Sequence, residues 1–186
     1  MPYIPLDEKL PGITGILNYR LDTALPIRQL TQILLRGEST LTEGERELIA
    51  TVVSHGNECR FCTAAHTAAA NVLLGEKETS EMVKTDLAHA PVSPKMKALL
   101  TIAKATGING KNVTPSMVDE AKNHGATDRE LYDTVAIAAL FSLYNRLVDG
   151  LASVTPPEPE FYDRLGSILK DKGYLPSENR YAGLTK

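Results

Sequence analysis

The sequence predicts an all-α protein, a bundle of helices without a sheet. Three observations carry this. Ala and Leu supply 43 of the 186 residues, and both are strong helix formers. Helix start and stop signals recur along the chain: capping boxes at Thr42/Glu45 and Thr127/Glu130, Ser-Pro or Thr-Pro openings, and glycines just past apolar runs. No stretch alternates apolar and polar residues between hairpin turns, as strands would require.

In order, residues 1–21 read as an irregular arm, broken by Pro2, Pro5, Pro11, Gly12 and Gly15. A first helix starts near Asp22 or Thr23, with Pro26 in its first turn, and runs to Gly37. A second follows Thr42, carries Leu48, Ile49, Val52 and Val53, and frays near His55-Gly56. A third takes Asn57 as its N-cap and ends at Gly75. Further helices open at Ser93-Pro94 and Thr114-Pro115, and a long apolar one covers 131–151. Pro156, Pro157 and Pro159 interrupt the chain before a last helix around Phe161–Lys170.

At about 150 residues per domain the length suggests a single domain over 1–186, with an arm (1–21), a core (22–152) and a C-terminal extension (153–186). An internal echo accompanies this: Glu45–Val52 and Asp128–Val135 agree at five of eight positions. Chance similarity between two helix N-termini and two pseudo-repeated helical halves both account for it. In that register Cys62 matches Asn145.

A net charge of −3 and a pI near 5.8 argue against nucleic acid and anionic membranes as partners. The N-terminal residues lack a basic and an apolar signal region, and no apolar run approaches a membrane span, so a cytoplasmic location is expected. No dinucleotide fingerprint, phosphate loop or haem motif occurs, so no cofactor is implied.

The two cysteines of the chain both lie in Ser54-His55-Gly56-Asn57-Glu58-Cys59-Arg60-Phe61-Cys62-Thr63-Ala64-Ala65-His66. At roughly 100° per residue, Cys59, Cys62 and His66 share one helical stripe. Cysteines three apart on a helix can form a disulfide. The helix N-terminus favours a thiolate, and His66 stands one turn beyond Cys62 to take its proton. The same residues fit a structural zinc site completed by His55 or Glu47, or an inert thiol pair in the core. A thioredoxin-like site is excluded, because a helix precedes the motif where a strand is needed. Glu43, Glu45 and Glu47 suit a helix N-terminus as solvated carboxylates, although Glu47 lies on a face that leads towards the cysteines.

The run Glu47…Cys59-x-x-Cys62-x-x-x-His66 resembles the signature of alkylhydroperoxidase D-like proteins in the carboxymuconolactone decarboxylase superfamily. Leu143–Leu151 is similar to a second segment of its peroxidase-related subgroup. The resemblance spans residues 22–152. It implies a helical homo-oligomer with thiol-dependent peroxidase or disulfide-reductase activity. Peroxide would be the substrate, and an external dithiol or protein the reductant. Carried over by position, Glu47, Cys59, Cys62 and His66 form the dithiol and proton-relay set. One departure is Phe61, where the best-known peroxidase members carry a histidine.

The expected chemistry is attack of a thiolate on the O–O bond, a sulfenic acid, and condensation to a Cys59–Cys62 disulfide. The helix dipole favours Cys59 as the thiolate, but a His66 contact outweighs it. The expected roles are therefore Cys62 as attacker, Cys59 as resolving thiol, His66 as base and Glu47 as relay carboxylate. Phe61, Val53 and Leu143 are expected along the path of an organic peroxide. A redox-sensing or electron-adaptor protein without fast peroxide turnover is the alternative function.

Overall fold

The computed structural model describes residues 1–176. The last ten residues of the expected C-terminal extension, 177–186, lie outside them. Among the described residues there are helices and turns but no strand. The helices are α1 (Ile13–Tyr19), α2 (Leu21–Arg36), α3 (Glu43–Gly56), α4 (Arg60–Leu74), α5 (Glu78–Thr85), α6 (Pro94–Ile108), α7 (Pro115–Asn123), α8 (Asp128–Gly150) and α9 (Pro159–Lys172). None is long and apolar enough to cross a membrane.

Helix α3 is the hub, packed against α4, α6 and α8. Both capping boxes form, with the Thr42 and Thr127 hydroxyls accepting from the Glu45 and Glu130 amides. After capping, α3 buries everything from Arg46 to Ser54, charged residues included. Arg46 is stabilised there because its guanidinium donates to the Leu34 and Gly37 carbonyls at 3.2 and 2.9 Å. It thereby satisfies the C-terminal end of α2.

The arm over 1–21 is not irregular throughout. Residues 13–19 form α1, and α2 begins at Leu21, so Pro26 falls in its second turn. The arm is held by the segment after α8: Tyr3 N donates to Leu151 O, Gly12 N to Val154 O, and Ser153 Oγ to Gly12 O, at 3.1, 2.8 and 2.8 Å. Gly12 has φ +60°, and a Cβ there would stand 2.2 Å from the Phe61 ring. The arm thus presses a bare backbone onto the residue next to Cys62. Helix α5 was not anticipated; its only sequence signal is the acidic first turn, Glu78 and Glu81.

The echo stops at the helix starts. In α3 Glu45 caps, which leaves Glu47 free to point inward; in α8 the residue matching Glu47, Glu130, caps Thr127 N and pairs with Lys95. Helix α8 then continues unbroken, whereas the matching stretch divides into α3 and α4.

The candidate dithiol site

Asn57 is not the N-cap of the cysteine helix. It is the C-cap of α3, and α4 starts at Arg60 with Cys59 as its N-cap. The junction is a Schellman turn: Cys59 N donates to Ser54 O and Glu58 N to His55 O, both at 3.0 Å, with Glu58 at φ +60°. The same pair of bonds closes α8, where Ala152 has φ +50°. This turn sets Cys59 at the mouth of α4, while Cys62 and His66 stand one turn apart inside it. Both cysteines are free thiols and both are buried.

The two thiols are close enough to shift each other's ionisation in opposite directions. The Cys62 thiol, helped by its backbone N–H, lowers Cys59 below the ordinary thiol range, against burial and the Asp149 carboxylate. Cys62 is pushed well up, first by Cys59 and then by its deeper burial. Of the two thiols Cys59 is therefore the one favoured to ionise, whereas the His66 argument had favoured Cys62. The reason is local: His66 spends Nδ1 on Glu47, and the two thiols act on each other.

Glu47 is fully buried and gathers donors from three directions. His66 Nδ1 meets Oε2 at 2.7 Å, while Arg36 Nη2 and the Tyr174 hydroxyl meet Oε1 at 2.6 and 2.5 Å. Burial alone would raise this carboxyl. The charge and hydrogen bond of His66, with Arg36 and Tyr174, instead bring it down to about 2. Tyr174 keeps its proton, pushed well above the usual phenol range by burial and by Glu47.

Tyr174 reaches this place because Gly173 turns at φ +60° past the end of α9 and the Tyr174 N–H is caught by Gln32 Oε1 at 2.7 Å. The Arg36 guanidinium lies 5.0 Å over its ring, a cation–π contact. Helix α9 can approach because Gly166 lies against the Ala68 backbone, where a Cβ would stand 2.7 Å from a carbonyl carbon.

Cys62, His66 and Tyr174 line a mostly apolar internal cavity of about 40 Å³ with Phe61, Tyr144 and Leu165. Of the side chains expected along a peroxide path, Phe61 is there. Val53 lines a different pocket, and Leu143 is on the surface. Among the described residues no three His, Cys, Asp or Glu side chains converge as metal ligands.

The structure thus unites Glu47, Cys59, Cys62 and His66. It adds four residues: Arg36, Tyr174, Asn145 and Asp149. Asn145 Nδ2 donates to Ser54 Oγ (3.1 Å) and Asn57 Nδ2 donates to Asn145 Oδ1 (2.9 Å), and Asn145 acts to lower the Cys62 thiol against its burial. The echo carried a trace of this, since its register sets Asn145 against Cys62 and Asp149 against His66. Arg36 and Tyr174 had no such signal.

The carboxymuconolactone decarboxylase family matches residues 26–81, the stretch that carries Glu47 and both cysteines. Among solved structures, an uncharacterised peroxidase-related protein from Silicibacter sp. is 26% identical with a TM-score of 0.73, covering 82% of this chain and 78% of its own. An alkylhydroperoxidase D core protein from Ralstonia eutropha, also uncharacterised and peroxidase-related, is 26% identical with a TM-score of 0.74, covering 84% and 80%. A protein of unknown function from Agrobacterium tumefaciens shares the fold at 17% identity and a TM-score of 0.68, covering 77% and 97%. No curated protein matches the chain. In this matched segment and in its fold the chain is similar to proteins of the alkylhydroperoxidase D-like and carboxymuconolactone decarboxylase superfamily.

Proposed function

We propose that the protein is a thiol-dependent peroxidase that cycles between the Cys59/Cys62 dithiol and an internal disulfide, with an external dithiol as electron donor. The observation that carries this reading is the buried Glu47–His66 pair, bonded at 2.7 Å, with His66 sharing one cavity with Cys62, the second thiol of the Cys59/Cys62 pair. Peroxide in that cavity meets Cys62. The Cys62 proton passes to the Cys59 thiolate. The Cys62 sulfur then takes the distal oxygen, the O–O bond breaks, and the departing alkoxide or hydroxide receives a proton from His66. Glu47, charged at every working pH, supports the imidazolium. Cys59 next attacks Cys62–SOH and water leaves with the Cys59 proton.

The cavity also selects. Its 40 Å³ amount to a few water molecules, so hydrogen peroxide enters as the fold stands, while a bulky hydroperoxide requires it to open. Steady-state peroxide consumption with dithiothreitol as donor tests the proposal. Turnover that requires both cysteines, faster with hydrogen peroxide than with cumene hydroperoxide, is expected. A disulfide that forms and is reduced without appreciable peroxide turnover would assign the electron-adaptor role instead.

A further inference from the structure

Both thiols are sealed from solvent: Cys59 is 0% and Cys62 2% exposed. The cavity that Cys62 shares with His66 holds only about 40 Å³. One of its walls is the N-terminal arm, whose Ile13, Thr14 and Leu17 line it together with Phe61 and Cys62. Just before them the Gly12 backbone lies on the Phe61 ring, where a Cβ would come within 2.2 Å.

The walls differ in how firmly they are held. On one side α9 is locked to α4. Gly166 stands against the Ala68 backbone, and the Phe61 ring packs on Phe161 and Tyr162 with centroids 6.4 and 5.9 Å away. The arm has no such lock. Helix α1 is seven residues long, lacks a side-chain bond at its N-cap, and has neither an acidic first turn nor a basic last turn. A helix this short does not persist alone in water. Among the described residues, the hydrogen bonds from the arm to the rest of the fold are those of Tyr3 N to Leu151 O, Gly12 N to Val154 O, and Ser153 Oγ to Gly12 O. All of them join one stretch, 151–154.

We infer that residues 1–19 form a strap over the Cys62 cavity, and that its lift from Phe61 admits an organic hydroperoxide too large for the closed site. The seat of Gly12 on Phe61 sets that size limit. The substrate half of this inference rests on the peroxidase reading above; the strap itself does not. Local opening follows the least supported segment. The arm therefore detaches while α4 and α9 stay joined, and a mouth opens beside Cys62 where Ile13 and Leu17 withdraw.

The test uses the full reduced chain, alkylated with iodoacetamide and read at Cys62 by peptide mass spectrometry, with amide hydrogen exchange in parallel. Protection of Cys62 should match that of the α1 amides within about threefold, and fall about tenfold or more below that of mid-α4 and α9 amides. Urea below the unfolding transition should leave the Cys62 rate nearly flat, because a local opening exposes little surface. Ser153→Ala removes one tie and should speed Cys62 alkylation about fivefold; Gly12→Ala, which pushes the strap off Phe61, should speed it further. In Ser153→Ala, consumption of cumene hydroperoxide should rise with the alkylation rate, while that of hydrogen peroxide changes less than about twofold. Cys62 protection equal to that of α4 and α9, a rate that climbs with urea as steeply as global unfolding, or an unmoved rate in Gly12→Ala each overturns the strap. Equal acceleration of both peroxides overturns the size limit. A parent protein that consumes neither peroxide overturns the peroxidase reading and the substrate with it, while alkylation and exchange still decide the strap.

Discussion

Glu47→Gln exchanges the buried carboxylate for an amide of nearly the same shape, leaving Arg36 and His66 to face a neutral partner. The Arg36 side chain is only 4% exposed, and its other carboxylate, Glu43, stands at 3.5 Å, too far to replace Glu47. The Glu47 carboxyl drops from the usual 4.5 to about 2 in the fold, and at 1.36 kcal/mol per pKa unit this is worth about 3 kcal/mol. An independent route agrees, since breaking one side of a buried ion pair costs roughly 3–5 kcal/mol. Because the folded value lies below the unfolded one, this stability is complete above about pH 4.5 and is lost as pH falls through about 2. Urea unfolding should therefore show the variant about 3 kcal/mol less stable at neutral pH. The gap should narrow steadily as pH falls from 4.5 towards 2. Glu130, also brought down to about 2, titrates in the same window and keeps part of the acid slope in the variant. A Glu47→Gln protein within about 1 kcal/mol of the parent at pH 7 would refute the relay as a buried charged pair.

Four further outcomes follow from the geometry. Glu58→Gly relieves the left-handed backbone at φ +60° and should add about 1 kcal/mol, raising the melting temperature by about 2–4 °C; a lower melting temperature counts against the Schellman turn. Gly12→Ala forces a Cβ into the Phe61 ring and should cost more than about 2 kcal/mol in urea unfolding. Tyr174→Phe removes a hydroxyl that lowers the Glu47 carboxyl, so acid unfolding should begin at higher pH, with a loss of roughly 1–2 kcal/mol at neutral pH. Leu25, Leu30 and Ile33 on α2 and Tyr132, Val135 and Leu143 on α8 leave large apolar side chains exposed; sedimentation should give a species larger than the 20.2 kDa protomer.

Much of the fold was legible because its signals are local. The two capping boxes and the Ser93-Pro94 and Thr114-Pro115 openings each start a helix where the sequence places it, and Gly75 ends one, all acting within a turn. The turn before the cysteines was misread because a Schellman motif normally announces itself with glycine, and here Glu58 occupies the left-handed position. Asn57 therefore looked like a start and is an end. Helix α1 was hidden by Gly12 and Gly15, which favour a loop locally but are there for close approach to Phe61 and the Leu10 carbonyl.

The same division runs through the site. Cys62 and His66 are related by helical spacing within α4, and the spacing sufficed. Arg36 and Tyr174 arrive from α2 and from beyond α9. Their meeting at Glu47 depends on tertiary packing, which no local pattern encodes. The ionisation order of the thiols lay beyond reach for the same reason. It depends on how the two thiols act on each other, and on Asp149, which α8 brings from far along the chain.

Mass spectrometry of the intact protein after a brief hydrogen peroxide pulse addresses the dithiol directly. The account predicts a loss of two hydrogens with no covalent dimer, both cysteines protected from alkylation, and in Cys59→Ser a dimedone adduct at Cys62. Two thiols that stay freely alkylatable after the pulse would contradict it.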